Sequence, residues 1–162
     1  MSAAVQRPAV GPAGLSIRPY RRGDLQACSG IYVEGRRFAF TWRPPSSFQT
    51  DDFERDSQGE AVYVAELDGR VAGFLSLWLP ERFIHLLFVD PSLHRRGVGK
   101  ALLSHALEIL GPRVWLKCQQ GNLNALDFYR SQGWSVTPGG SDEVGPWSYV
   151  ASPAALVSPG GR

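Results

Sequence analysis

The segment Val89–Leu103, VDPSLHRRGVGKALL, joins the end of an apolar strand to the start of an amphipathic helix. Apolar residues run up to Asp90–Pro91, and after Gly99 they recur at the spacing of one helix face. Two arginines and two glycines lie between these parts. The pattern predicts a crossover from a central strand into a helix, the place where α/β sheets usually bind ligands.

The amino end of the predicted helix has the features of an anion site. From about Arg95 to Lys100 the backbone N–H groups are expected to be free to bind a ligand, and the helix dipole favours negative charge there. Two phosphate motifs are excluded. Ala101 stands where a P-loop needs Ser or Thr, and Leu102 stands where a dinucleotide fingerprint needs its third glycine. The alternative to an anion site is an ordinary helix start, in which the two glycines are needed only for the turn.

The remaining elements predict one α/β domain. Two β-rich runs flank Asp68–Gly69, the residue pair that a type I′ hairpin prefers. The run Arg82–Asp90 is apolar on both faces, as expected of a central strand. The element order indicates a single domain at 15–151, with a mixed, mostly antiparallel sheet and about four helices. Residues 1–14 and 152–162 are rich in Ala, Ser, Pro or Gly and are predicted to be disordered tails.

Composition and charge narrow the range of functions. The 162 residues include 17 basic and 15 acidic side chains, a net charge of +2 that is too balanced to favour nucleic acid. No apolar run reaches the ~18 residues of a membrane span, and the amino terminus lacks a secretory pattern. Cys28 and Cys118 are expected to be reduced thiols. The three histidines are too dispersed for a metal site. We therefore expect a cytoplasmic protein with no metal, membrane or nucleic-acid partner.

A second motif follows at Asn122–Trp134, NLNALDFYRSQGW. Together with His94–Gly99, HRRGVG, it resembles the GCN5-related N-acetyltransferase superfamily over about residues 15–150. The acyl-CoA loop of that family typically has the pattern Gln/Arg-x-x-Gly-x-Gly/Ala, and its later helix Asn-x-x-Ala-x-x-Phe/Leu-Tyr-x-x-x-Gly-Phe. His94 replaces the usual Gln or Arg, and Trp134 replaces the commoner Phe. The residues in register with the helix pattern are Asn122, Ala125, Phe128, Tyr129, Gly133 and Trp134.

The resemblance implies acetyl-CoA as the acyl donor and a sheet splayed after its fourth strand. Pantetheine would lie in that gap, the loop N–H groups would bind the pyrophosphate, and Tyr129 would face the sulfur. From the residues alone, Asn122 is also explained as a helix cap and Tyr129 as a packed aromatic. The cofactor-binding residues that the resemblance implies are Phe88, Val89, His94, Arg95, Arg96, Gly97, Val98, Gly99, Lys100, Asn122 and Phe128.

Removal of a proton from the acceptor is the harder chemical step. A lysine-like amine has a pKa of ~10.4, and making it neutral at pH 7 costs roughly 4.6 kcal/mol. We predict that His85 is the general base, because it lies on the central strand four residues before Val89 and histidine is the residue type most often used as a base near neutral pH. The strand also resembles that of the arylalkylamine N-acetyltransferases. The alternatives are a hydrogen-bonded core histidine, Glu34 or Glu81 as the base, or proton loss through water.

The acceptor is less constrained than the donor. Phe38, Phe40 and Trp42, with Trp78, are predicted to form an aromatic acceptor pocket, although ordinary core aromatics explain them equally well. Arginines 36, 37 and 43 could instead bind an acidic group on a small amine. We therefore expect acetyl transfer to the primary amine of a small molecule or amino-acid-like compound. The alternatives are a protein amino terminus or lysine as acceptor, or an inactive acyl-CoA sensor. The resemblance also implies a possible homodimer.

Overall fold

The computed structural model describes residues 13–155. The tails predicted at 1–14 and 152–162 therefore lie mostly outside the described residues. Two of these residues are buried, Ser152 and Ala155, and the Ser152 hydroxyl donates to the Pro112 carbonyl and accepts from the Val114 N–H. The Ser/Pro/Gly composition concealed this short ordered stretch because it has no strand or helix period.

Within residues 13–155, one seven-stranded sheet is flanked by four α-helices, as the sequence predicts. The strand order is β1-β2-β3-β4-β5-β7-β6, and every pair is antiparallel except β4–β5. The helices are α1 (Leu25–Ala39), α2 (Asp52–Asp56), α3 (Val98–Leu110) and α4 (Leu123–Ser131). The strands are β1 (Leu15–Pro19), β2 (Ala61–Leu67), β3 (Arg70–Trp78), β4 (Phe83–Val89), β5 (Trp115–Gln119), β6 (Ser135–Ser141) and β7 (Pro146–Ala151).

The β2–β3 hairpin forms at the predicted turn. Asp68 and Gly69 both have positive φ, 52° and 82°, which is the requirement of a type I′ turn. Neighbouring residues of β3 then face opposite sides of the sheet, and both are buried. Phe74 packs in a cluster with α1 and α2, whereas Leu75 packs in a cluster with α3 and α4. Each such side chain contributes about 1.5–3 kcal/mol by leaving water, so the central strands anchor both helix layers.

The sheet opens between its two parallel strands. β4 and β5 are paired only at Phe83–Trp115 and Ile84–Leu116, and beyond these pairs the strands diverge. The main-chain groups of β4 after Ile84 therefore face a gap where a neighbouring strand would otherwise lie. This is the splay predicted after the fourth strand. The gap is where the candidate site lies. No helix within residues 13–155 combines the length and hydropathy needed to cross a membrane.

Candidate active site

A cavity of about 1280 Å³ occupies the gap between β4 and β5. Its walls come from α1, β4, the β4–α3 loop, β5, α4 and the β6–β7 turn. Residues distant in sequence therefore meet in one space. Most of the predicted site residues contribute to it: Phe38, Phe40, His85, Phe88, Val89, His94, Arg95, Gly97, Val98, Gly99, Lys100, Asn122, Phe128 and Tyr129.

The β4–α3 loop turns the main chain so that the amino end of α3 opens into the cavity. Asp90 fastens the start of the loop, because its Oδ1 accepts from the Ser92 N–H at 2.9 Å. Arg95 and Gly97 then take left-handed conformations, with φ of 64° and 79°. Gly97 lies at the helix N-cap and brings no capping side chain. The first N–H groups of α3 therefore have no intrahelical acceptor and are available to an anion.

Positive side chains surround this helix end. Arg95, Arg96 and Lys100 are exposed, and none forms an ion pair with another residue in the range 13–155. Arg95 and Lys100 line the cavity, whereas Arg96 is not part of its wall. His94 packs edge-on against Phe38 of α1, with 5.2 Å between ring centroids. The loop thus offers both free N–H groups and unpaired cations to one ligand.

Helix α4 closes the same end of the cavity. Asn122 acts as its cap, because the side-chain oxygen accepts from the Ala125 N–H at 3.4 Å. The side chain of Asn122 also borders the cavity, so capping and ligand contact are compatible. Phe128 packs against the first turn of α3, where a Cβ on Gly99 would lie 3.5 Å from its ring. A Cβ at this distance makes an ordinary van der Waals contact, so the packing of the two helices does not by itself require glycine at position 99.

Tyr129 presents a neutral phenol to the cavity. The residue is only 6% exposed, and its ring contacts Phe128 and Trp134 at centroid distances of 5.3 and 6.0 Å. Burial raises its pKa well above the usual range. Its hydroxyl makes no hydrogen bond to any residue that the structure describes. It is therefore a hydrogen-bond donor that stays protonated at neutral pH and is available to a ligand.

Cys118 lies on the β5 wall of the cavity. Burial raises the pKa of this thiol to about 12. The thiol therefore stays protonated at neutral pH, and only a thiolate would act as a nucleophile. This agrees with direct attack by the acceptor rather than a covalent acyl-enzyme.

His85 lies where two strand irregularities coincide. Ser76 pairs with Leu86 and Leu77 with Ile84, so His85 is the unopposed residue of a β-bulge. It also follows the last β4 residue that pairs with β5. Its side chain is 41% exposed and lines the cavity, and its Nδ1 lies 2.8 Å from Oε1 of Glu60. His85 is thus hydrogen-bonded but is not a core residue.

A sequence model of the acetyltransferase (GNAT) family matches residues 27–134, more than half of the chain. The chain belongs to this family. It is therefore an N-acetyltransferase with acetyl-CoA as its donor, and the resemblance noted in the two motifs is confirmed.

Curated relatives and solved structures agree with this assignment. The chain is 32% identical over 126 residues to peptidyl-lysine N-acetyltransferase YiaC of Escherichia coli, covering 74% of this chain and 83% of that protein. It is 30% identical over 120 residues to the ribosomal protein bS18-alanine N-acetyltransferase of Escherichia coli, covering 69% and 75%. Among solved structures, the PaiA N-acetyltransferase of Thermoplasma acidophilum in complex with coenzyme A has a TM-score of 0.67 at 17% identity, covering 83% of this chain and 97% of that one.

The cavity of this GNAT protein fits acetyl-CoA on two structural grounds. The unsatisfied N–H groups at the start of α3, beside Arg95 and Lys100, suit the pyrophosphate. The unpaired main chain of β4 near Phe88 and Val89 suits the amide groups of pantetheine, as a further strand would. Within residues 13–155, no group of His, Cys, Asp or Glu side chains could hold a metal ion.

Two of the four aromatic residues predicted for the acceptor pocket lie elsewhere. Trp78, at the end of β3, is 39% exposed and lies outside the cavity wall. Trp42 is also outside the cavity wall, and its Nε1 donates to the Val144 carbonyl at 2.7 Å. The neighbouring Arg43 donates to the Glu143 carbonyl at 3.1 Å. These two contacts form a bridge, termed here the Trp42–Val144 bridge, between the α1–α2 loop and the β6–β7 turn.

The arginines considered for an acidic acceptor group are already engaged. Arg36 is buried against Asp52, with 3.0 Å between Nη1 and Oδ2, and its guanidinium lies 3.6 Å from the centroid of the Tyr32 ring. Arg37 bonds the Pro45 carbonyl and Glu34, and Arg43 belongs to the bridge. These contacts hold the three arginines in the fold around the cavity, and Arg36 also lines it.

The alternative bases are also placed by the structure. Glu34 is exposed on α1 and pairs with Arg37 at 3.0 Å. Glu81 belongs to the turn between β3 and β4. Neither residue lines the cavity, whereas His85 does. Sequence reasoning missed Glu60, which contacts His85, because nothing in the segment before β2 marks it as part of a site.

Proposed function

We propose that this GNAT protein transfers the acetyl group of acetyl-CoA to a primary amine on a peptide or protein. The observation that supports a direct transfer is that His85 and Tyr129, a base and a protonated donor, line one cavity. The relatives named above act on lysine or on the alanine of a ribosomal protein, which supports a protein amine as acceptor.

The donor side of the cavity is the segment 89–100 with the free edge of β4. When bound there, acetyl-CoA supplies an acetyl group activated as a thioester. The amino end of α3 holds the pyrophosphate, and Arg95 and Lys100 add opposite charge. Asn122 and Phe128 border the part of the cavity that leads from the pyrophosphate site to the gap between β4 and β5.

The acceptor side is the region around His85 and the Trp42–Val144 bridge. A free Nε2 on His85 takes the proton from the amine as the nitrogen attacks the acetyl carbon. General base help of this kind is typically worth about 10²–10⁴-fold, enough to offset much of the cost of deprotonating an amine at neutral pH. Proton release is direct, because the His85 side chain is partly exposed to solvent.

Tyr129 acts on the departing sulfur as a hydrogen-bond donor. A free thiol has a pKa of about 8.5, and burial holds the pKa of Tyr129 above its usual value of about 10. Full transfer of the phenolic proton to the thiolate is therefore uphill. Tyr129 stabilises the developing negative charge through its O–H and keeps its proton.

A small-molecule amine is the second candidate acceptor. The Trp42–Val144 bridge spans the acceptor side, and Phe38 and Phe40 add aromatic surface to the cavity. Such an enclosure favours a compact apolar amine over a folded protein surface.

Calorimetric titration with acetyl-CoA, followed by a thiol-release assay, tests both candidates. Three acceptors are compared: a peptide with one lysine and a blocked amino terminus, a peptide with a free amino-terminal alanine and no lysine, and a panel of small arylalkyl amines. We expect binding of acetyl-CoA and release with one peptide class. Release with small amines alone would overturn the protein acceptor. Binding without release on any amine would favour the sensor alternative.

A further inference from the structure

Glu60 is the residue behind His85. It lies directly before β2, and its side chain is 9% exposed. One oxygen, Oε1, accepts from the Ser76 hydroxyl at 2.5 Å and contacts Nδ1 of His85 at 2.8 Å. Ser76 is fully buried in β3. Glu60 does not line the cavity, so it acts on the cavity only through His85.

The contact determines which nitrogen of His85 is free. A carboxylate accepts hydrogen bonds and donates none, so Nδ1 must carry the hydrogen that bonds to Glu60. In the neutral imidazole the lone pair then lies on Nε2. Only that tautomer of His85 can take a proton through the nitrogen that Glu60 leaves free.

The backbone alone does not fix this ring. His85 has no opposite residue on β3 and lies beyond the last pair with β5, so neither neighbouring strand has a residue paired with it. Ser76 in turn holds the Glu60 oxygen from the adjacent strand. The chain Ser76–Glu60–His85 therefore supplies the restraint that the sheet does not.

We propose that Glu60 positions His85 as the base, by holding Nδ1–H and leaving Nε2 free. This rests on the proposed role of His85. When the amine proton moves to Nε2, the imidazolium gains a charge-assisted hydrogen bond to the Glu60 carboxylate. His85 then returns the proton to water and regains its starting tautomer.

The tautomer can be measured without activity. Long-range ¹H–¹⁵N spectra of protein with labelled histidine distinguish the Nδ1–H from the Nε2–H form, and a His85→Gln spectrum assigns the signal. We expect His85 of the native protein in the Nδ1–H form. In Glu60→Gln, whose amide can donate as well as accept, we expect a mixture of forms. An Nε2–H signal in the native protein, or no change in Glu60→Gln, would overturn the proposal.

Kinetics provide the second readout. Glu60→Gln is expected to lower kcat about 10- to 100-fold, part of the gain from general base catalysis, with KM for acetyl-CoA within about 2-fold. Ser76→Ala removes only the support of Glu60 and is expected to lower kcat less. Glu54→Gln makes the same change on an exposed carboxylate of α2 and is the matched control.

The two proposals fail differently. Unchanged kcat in His85→Gln would remove the base from the proposed function, while the tautomer spectrum would still decide whether Glu60 orients the ring. A large loss in His85→Gln with full activity in Glu60→Gln would leave the proposed function standing and overturn the positioning role.

Discussion

The proposed donor side of the cavity is built mainly from the segment 89–100 and the free edge of β4, whereas the proposed acceptor side joins residues up to 102 positions apart. On the donor side, a left-handed Gly97 and a helix start suffice to present N–H groups. On the acceptor side, the Trp42 Nε1 donates to the Val144 carbonyl, and the His85 ring contacts Glu60, the residue directly before β2. The donor side relies on main-chain groups, which many side-chain substitutions would leave in place, whereas the acceptor side depends on individual side chains.

The largest effect is expected from a substitution that blocks the anion site of the donor loop. Gly97→Glu places a side chain at a left-handed position, with strain of about 1–3 kcal/mol, and an acidic group at the anion site. We expect acetyl-CoA affinity to fall by at least about 100-fold in calorimetric titration. Gly69→Glu is the matched control, because Gly69 also has positive φ, lies in open space and is not part of the cavity wall. Equal affinity in both variants would contradict the assignment of the loop.

Tyr129→Phe tests the place where the two sides meet. The ring contacts and the burial remain, and only the hydroxyl is lost. We expect kcat to fall about 10- to 100-fold while acetyl-CoA affinity changes little, since the O–H acts on charge that develops during transfer. Tyr20→Phe, on the β1–α1 connection, is the control. An unaltered rate would make Tyr129 a packing residue only.

The same contrast explains which parts could be predicted from sequence. The donor loop, the hairpin at Asp68–Gly69 and the splayed sheet follow from local patterns and the two motifs. The position of Trp42 does not, because its partner Val144 lies in a turn that has no periodic signal. Glu60 was also missed, since its role depends on a β-bulge at His85 that no short-range pattern indicates.

Trp42→Ala is expected to affect the acceptor alone. Losing the Trp42–Val144 bridge frees the α1–α2 loop, and we expect KM for the acceptor to rise about 3- to 10-fold with KM for acetyl-CoA unchanged. Trp78→Ala is the control, because Trp78 is exposed to a similar degree but takes no part in the Trp42–Val144 bridge. If Trp78→Ala gave the larger change, the acceptor side would have to be placed elsewhere.

The smallest effect concerns the support of the donor side by α3. His105 is buried on α3, neither ring nitrogen has a hydrogen-bond partner within residues 13–155, and its ring lies 4.6 Å from that of Tyr63. Burial lowers the pKa of His105, although Glu108 opposes this. The folded state thus prefers neutral His105, and the unfolded chain binds the proton at higher pH. Stability is therefore complete above the unfolded pKa of about 6.5 and falls as the pH drops through the lower folded value.

Melting curves between pH 7.5 and pH 5 measure this contribution. We expect Tm to fall with pH in the native protein by about 2–4 °C for each kcal/mol lost, and to fall less in His105→Leu. His94→Gln, which removes an exposed histidine from the donor loop, should keep the native pH dependence. Acetyl-CoA affinity should likewise fall with pH more in the native protein than in His105→Leu, because the N–H groups that bind the pyrophosphate are held in place only while α3 stays packed on the sheet. Identical pH profiles for His105→Leu and the native protein would show that protonation of His105 affects neither the packing of α3 nor the donor loop.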